Sequence, residues 1–308
     1  MNAQIRHPDA IQPIGFLILV SRDWRISHAS ANIDQFSPTT AKTLIGQPIT
    51  SLFTDDSVHD MRNRLAMVRG PDVAERIFGC ALAGDDRRFD VSLHMNERCM
   101  LIEAEPASAH DHGDITGIVR GMISGLDQCG DLPALLNAGA RRVRALTGFD
   151  HVIIDRLASD GTSEVVAECA RHGAKPCLGV QYPANPMSPE GEYRDRPLLA
   201  IIADSHAKPI AIVPPGRDDH DPLEIGQSVL RSAPPDQLAS LREMGVRAAM
   251  SLSINIEGAY WGQILCHHRS PRCLDFGRRS VAELFAEMFA LRIHIRELQS
   301  IIEIERGD

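Results

Sequence analysis

No stretch of this 308-residue chain is apolar for long. Runs such as FLILV (Phe16–Val20) are strand-sized and fall far short of the roughly 20 residues that cross a bilayer, so no membrane partner is expected. The opening MNAQIRHPDA has no apolar core of the kind that directs secretion. No cluster of Lys and Arg occurs, and the net charge is −9, which excludes the basic footprint of a nucleic-acid partner. The seven cysteines (Cys80, Cys99, Cys129, Cys169, Cys177, Cys266 and Cys273) include no CxxC pair; that scatter predicts a reducing, cytoplasmic location rather than a disulfide framework. GxSxG, a phosphate loop and HExxH are all missing, so no catalytic motif carries an enzyme reading. What is present, 44% hydrophobic and 24% charged residues over a length suited to two domains, describes ordinary globular folding.

Short strands dominate the first part of the chain. GFLILVS and the alternating WRISHASANI come first, and the stretch from Arg76 to Ala107 divides into three strands at Gly84-Asp85-Asp86 and Asn96-Glu97. A helix follows, with Leu132, Leu135, Leu136, Val143 and Leu146 on one face and Gly148 as its stop. Strands HVIIDRL and SEVVAECA flank Ser159-Asp160-Gly161. The region from Lys175 to Pro235, rich in Pro and Gly, reads as one long irregular, functional segment. A hairpin turns at Glu257-Gly258, with Met250, Leu252, Ile254 and Ile256 on one face of its first strand and Ser251, Ser253 and Asn255 on the other. From about Phe276 a helix places Val281, Leu284, Met288, Leu291, Ile295, Leu298 and Ile302 at alternating spacings of 3 and 4, a heptad seam that predicts a parallel homodimer.

Some residues invite chemistry. His267 and His268 are adjacent on a strand and point to opposite faces, so they cannot share one ion, and no metal site is expected. Cys169 and Cys177 flank Gly173 and would face each other in a hairpin, which would suit a redox pair, although buried free cysteines usually behave as small hydrophobes. Ser251 and Ser253 fit equally well as the less apolar face of a sheet.

In order, AIQPIGFLILV, LTGFDHVIIDR, SEVVAEC, LGVQYPA, SVLRSAPPDQLASLREMGVRAAMSLSI and YWGQILCHH resemble the PAS-GAF photosensory core of bacterial phytochromes over nearly the whole chain. The resemblance implies an α+β fold with a PAS domain and its N-terminal segment over 1–125, a GAF domain over 126–298 and a signalling helix over 276–308. It further implies a figure-of-eight knot, with Ile11 passing through a lasso near Gly216–Arg231. The bilin-pocket positions it implies are Tyr182, Arg231, Gln237, Ser251, Ser253 and His267.

Other positions depart from the family pattern. The attachment cysteine would fall ahead of Met1, and Asp236-Gln237 stands where the other class carries Cys-His, so no covalent chromophore is expected. PANPMSP (Pro183–Pro189) lacks the family's Asp, Asp155 replaces a Tyr, Ala200 an Arg, and Ile14 a His. The expectation is a sensory input module with a degenerate bilin pocket, sensing a small ligand or redox state. The alternative is a photoreceptor that holds biliverdin non-covalently. Either would act on a downstream output module or response regulator, and the helix running to Asp308 fits the input part of a sensor histidine kinase.

Overall fold

The computed structural model describes residues 9–66, 74–95, 99–108, 115–183, 198–215, 223 and 225–307. In chain order its strands and helices begin β1 (Ala10–Ile11), β2 (Phe16–Val20), β3 (Ile26–Ser30), α1 (Ala41–Leu44), α2 (Asp55–Leu65), β4 (Glu75–Ala81), β5 (Arg88–Met95) and β6 (Met100–Pro106). They continue α3 (Ile115–Ile123), α4 (Leu132–Thr147), β7 (His151–Leu157), β8 (Thr162–Ala170), β9 (Gln181–Pro183), β10 (Leu199–Ile202) and β11 (Ile210–Val213). The last are α5 (Pro235–Glu243), β12 (Ala248–Ile256), β13 (Ala259–His268) and α6 (Phe276–Gly307). The region expected to be irregular from Lys175 to Pro235 therefore holds three short strands, β9 to β11, each too brief to show a period of two. Among the described residues no helix is long and apolar enough to cross a membrane.

The chain gathers into two compact units, residues 1–109 with 206–240, and residues 110–205 with 241–308. The first unit holds a seven-stranded antiparallel sheet in the order β1-β11-β3-β2-β6-β5-β4. Every residue of FLILV is buried, because both faces of β2 are covered. Phe16, Ile18 and Val20 enter a core with Phe53, Phe89 and the inner faces of α1 and α2. Leu17 and Leu19 enter a second cluster with Ile11, Ile212, Ile225 and Leu230.

That second layer is built from distant sequence. Residues 10–12 lie between two limbs of the 206–240 segment: Ala10 and Ile11 pair with Ala211 and Ile210 on one side. On the other, Gln12 N–H donates to Leu230 O at 2.7 Å and Ser232 N–H to Ala10 O at 2.9 Å. Glu103, on the same face as Leu17 and Leu101, receives Ser228 Oγ at 2.5 Å, Leu230 N at 2.7 Å and Val229 N at 3.2 Å. The expected knot involves residues 1–8, 216–222 and 224, which lie outside the described residues.

The second unit holds a six-stranded antiparallel sheet in the order β10-β12-β13-β7-β8-β9. Asp131 caps α4 by accepting from Ala134 N at 2.7 Å, and Gly148, the stop expected from the sequence, ends it in the left-handed region. Glu257 and Gly258 both have positive φ, the backbone demanded by a two-residue hairpin whose twist matches the sheet. On the inner side of α6, Val281, Phe285, Phe289 and Ile293 are buried. Val281 therefore leaves the expected dimer seam and belongs to the core. The remaining seam residues, Leu284, Met288, Leu291, Ile295, Leu298 and Ile302, are exposed.

Candidate functional site

Strand register gives the second unit a polar sheet face. His151, Ile153 and Asp155 alternate along β7, and His267, Leu265 and Gln263 stand opposite them on β13. Opposite these on β12 are Ala249, Ser251 and Ser253, and Ala200 on β10 is paired with Ser251. Directly paired residues share a face, so two imidazoles, a carboxylate, an amide and two hydroxyls point the same way. The intervening Val152, Ile154, Ile264, Cys266, Met250, Leu252 and Ile254 are all buried on the other side.

Asp155 is fully buried near the centre of this face. Its Oδ2 accepts the Tyr182 hydroxyl, and also Gln263 Nε2 at 2.9 Å. Tyr182 arrives on edge strand β9, where it pairs with Ser163 of β8. Burial, followed by the Asp155 charge and this hydrogen bond, raises the Tyr182 phenol well above its ordinary value, so it stays a donor at neutral pH. The position of Asp155 depends on Gly262. A Cβ there would lie 2.1 Å from the Asp155 carbonyl oxygen, so only glycine lets β13 approach β7 this closely. His267 is pulled down to about 4 by burial first and by His151 second, and it is a neutral donor–acceptor at pH 7.

One edge of the face carries a second cluster. His151 Nε2 lies 2.9 Å from Glu168 Oε2, which also accepts Cys177 Sγ and Cys177 N, both at 3.0 Å. The Cys177 thiol is pushed up to about 12 by burial and then by Glu168. Burial also acts to raise Glu168, but the hydrogen bonds from Cys177 and His151 outweigh it and its carboxyl lies below the usual range. Cys169 does not face Cys177: it pairs with Val152, on the face opposite Glu168, so the expected redox pair is not formed.

Four of the expected site residues, Tyr182, Ser251, Ser253 and His267, thus belong to the second unit, the last three on the polar sheet face and Tyr182 reaching it through its hydroxyl. Arg231 and Gln237 belong to the first unit. Arg231 makes an isolated bridge with Ile11, and burial lowers its guanidinium, partly offset by Glu103. Gln237 is exposed on α5. Residues 184–189 of PANPMSP lie outside the described residues. Sequence reading missed His151, Glu168 and Gln263. The alternation of HVIID offered a signal for the first, whereas the other two needed strand pairing.

A family model of the PAS fold matches residues 1–107, and one of the GAF domain matches residues 131–296. The chain is 30% identical to a bacteriophytochrome of Pseudomonas aeruginosa over 311 residues, covering 98% of this chain and 41% of that protein. It is 27% identical to a phytochrome-like protein of Synechocystis over 296 residues, covering 93% of this chain and 39% of that protein. The chain therefore spans about two-fifths of the length of these curated relatives. The solved chromophore-binding domain of an unusual bacteriophytochrome from R. palustris superimposes with a TM-score of 0.84 at 30% identity, covering 96% of this chain and 98% of that one. The chromophore-binding domain of Stigmatella aurantiaca phytochrome P1 gives 0.83 at 30% identity, covering 94% and 97%.

Proposed function

The chain belongs to the phytochrome family as a PAS-GAF core, and on that premise we propose that it is the sensory input module of a longer cytoplasmic signalling protein whose GAF sheet recognises a small polar ligand without covalent bilin attachment. The observation that carries this is Asp155. A fully buried carboxylate, tied to Tyr182 and Gln263, sits near the centre of the face that a large conjugated ligand would cover. A conjugated ring system laid over this face would meet a desolvated charge already committed to Tyr182 and Gln263, at the position where the family pattern supplies a Tyr. The residues at the centre of this face therefore depart from the family's bilin slot at Asp155. Ser251, Ser253, Gln263 and His267 instead offer donors and acceptors to a compact polar molecule.

The module reading extends along the chain. A PAS domain over 1–125, a GAF domain over 126–298 and a signalling helix over 276–308 would pass the state of the face to a homodimer contact along α6. From there it would reach an output module or response regulator, as in a sensor histidine kinase. A second reading, a photoreceptor holding biliverdin non-covalently, is favoured by one feature, the neutral His267 imidazole available to a ring carbonyl. Biliverdin titration separates the two. Wild-type protein should gain no photoreversible red band, and denatured protein soaked in zinc should show no bilin fluorescence, while Asp155→Tyr should bind biliverdin at least about tenfold more tightly than wild type. A photoreversible band in the wild type, unimproved by Asp155→Tyr, overturns the polar-ligand reading in favour of the second.

A further inference from the structure

We propose that His151, Glu168 and Cys177 form a binding site for a zinc-class divalent cation at the edge of the GAF sheet. The three residues come from β7, β8 and the loop after β8, and each is half-buried. Their donor atoms, an imidazole nitrogen, a carboxylate oxygen and a sulfur, all lie within 4.8 Å of one another. Nε2 to Oε2 is 2.9 Å, Sγ to Oε2 is 3.0 Å and Sγ to Nε2 is 3.7 Å. A tetrahedral zinc ion with ordinary bond lengths separates such donors by about 3.3 Å for N and O, and about 3.5 Å for S with either. The side chains thus need to open by only about half an ångström at two edges of the triangle and hardly at all at the third.

The chemistry of the set points the same way. A mixed N, O and S triad with both imidazole and sulfur selects zinc-class or softer ions over calcium and magnesium, which take oxygen. Binding would replace the Cys177 thiol proton, now directed at Glu168, with the ion and release that proton to solvent. Three protein ligands and one water complete four-coordination. The Cys177 N–H that also meets Glu168 at 3.0 Å would remain to orient the carboxylate, in the way outer-shell donors do at metal centres. The loop carrying Cys177 runs directly into β9 and Tyr182, so the ion would brace the segment that brings the phenol to Asp155.

The test uses the reduced, metal-free chain without bilin. Cobalt(II) should give a near-ultraviolet thiolate charge-transfer band and intense visible bands of tetrahedral character, saturating at one ion per chain. Zinc should displace it. Cys177→Ser should abolish the charge-transfer band, and His151→Ala and Glu168→Gln should each weaken zinc binding at least about tenfold. Cys169→Ser and the exposed-site control Cys273→Ser should leave both unchanged. Circular dichroism of each variant establishes that it is folded, and the wild-type cobalt spectrum stands without any variant. Absence of a thiolate band in the wild type overturns the proposal, as does zinc affinity undiminished in folded Cys177→Ser.

Discussion

Removing the Glu103 carboxylate should release the limb of chain that covers the second face of β2. Glu103 is 2% exposed and receives Ser228 and Leu230 on one oxygen and Val229 and His94 on the other. In Glu103→Ala the Val229 and Leu230 amides lose their acceptor, and each buried donor left unsatisfied costs about 1–3 kcal/mol. The sum is about 2–6 kcal/mol, toward the low end if water enters the vacated space. Glu103→Gln keeps one oxygen for Ser228 and Leu230 but turns an amide donor toward Val229 N–H, so the cost is that of one orphaned group, about 1–3 kcal/mol. Native-state hydrogen exchange reads this locally: the Val229 amide in Glu103→Gln should exchange about 5- to 150-fold faster, and both amides faster still in Glu103→Ala.

The pH dependence has a definite sign. Burial acts to raise the Glu103 carboxyl, but hydrogen bonds and charge from His94, with those from Ser228 and Leu230, outweigh it and its value lies below the ordinary 4.5. A depressed carboxyl contributes stability that is present above the unfolded value and is lost as pH falls from 4.5 through the folded value. The protection gap between wild type and Glu103→Gln should therefore narrow in that window. Unchanged exchange at Val229 and Leu230 in folded Glu103→Ala would refute the reasoning.

Two further outcomes follow from close packing and from exposure. Gly262→Ala should force β13 away from β7 at Asp155 and lower the thermal midpoint by the equivalent of about 1–3 kcal/mol, whereas Gly130→Ala, whose Cβ meets nothing within 4 Å, should leave it within error. The exposed α6 stripe should drive association: Leu291 and Leu298, 53% and 46% exposed, each still have about half of their 1.5–3 kcal/mol of burial to gain. Leu291→Glu with Leu298→Glu should shift sedimentation from dimer to monomer at micromolar concentration, and a monomeric wild type would contradict the seam.

Sequence alone was sufficient wherever the information is local. The period of two in runs such as SLSI, the Gly148 stop of α4, the Glu257-Gly258 turn and the start of α6 at Phe276 all depend on residues within a few positions of one another. The ordered set of family-like segments depends on identity rather than on packing and was equally legible. Tertiary structure decided what local pattern cannot carry. Strands β9 to β11 are three or four residues long, too short for a period to show. Val281 and Leu284 satisfy the same heptad, yet packing against the sheet buries one and leaves the other exposed. Asp155 meets Gln263 across 108 positions, and Cys177 meets His151 across 26. The first meeting is set by strand register and the second by the path of the loop after β8; register is a property of pairing between distant segments, where a shift of one residue would turn every side chain to the opposite face.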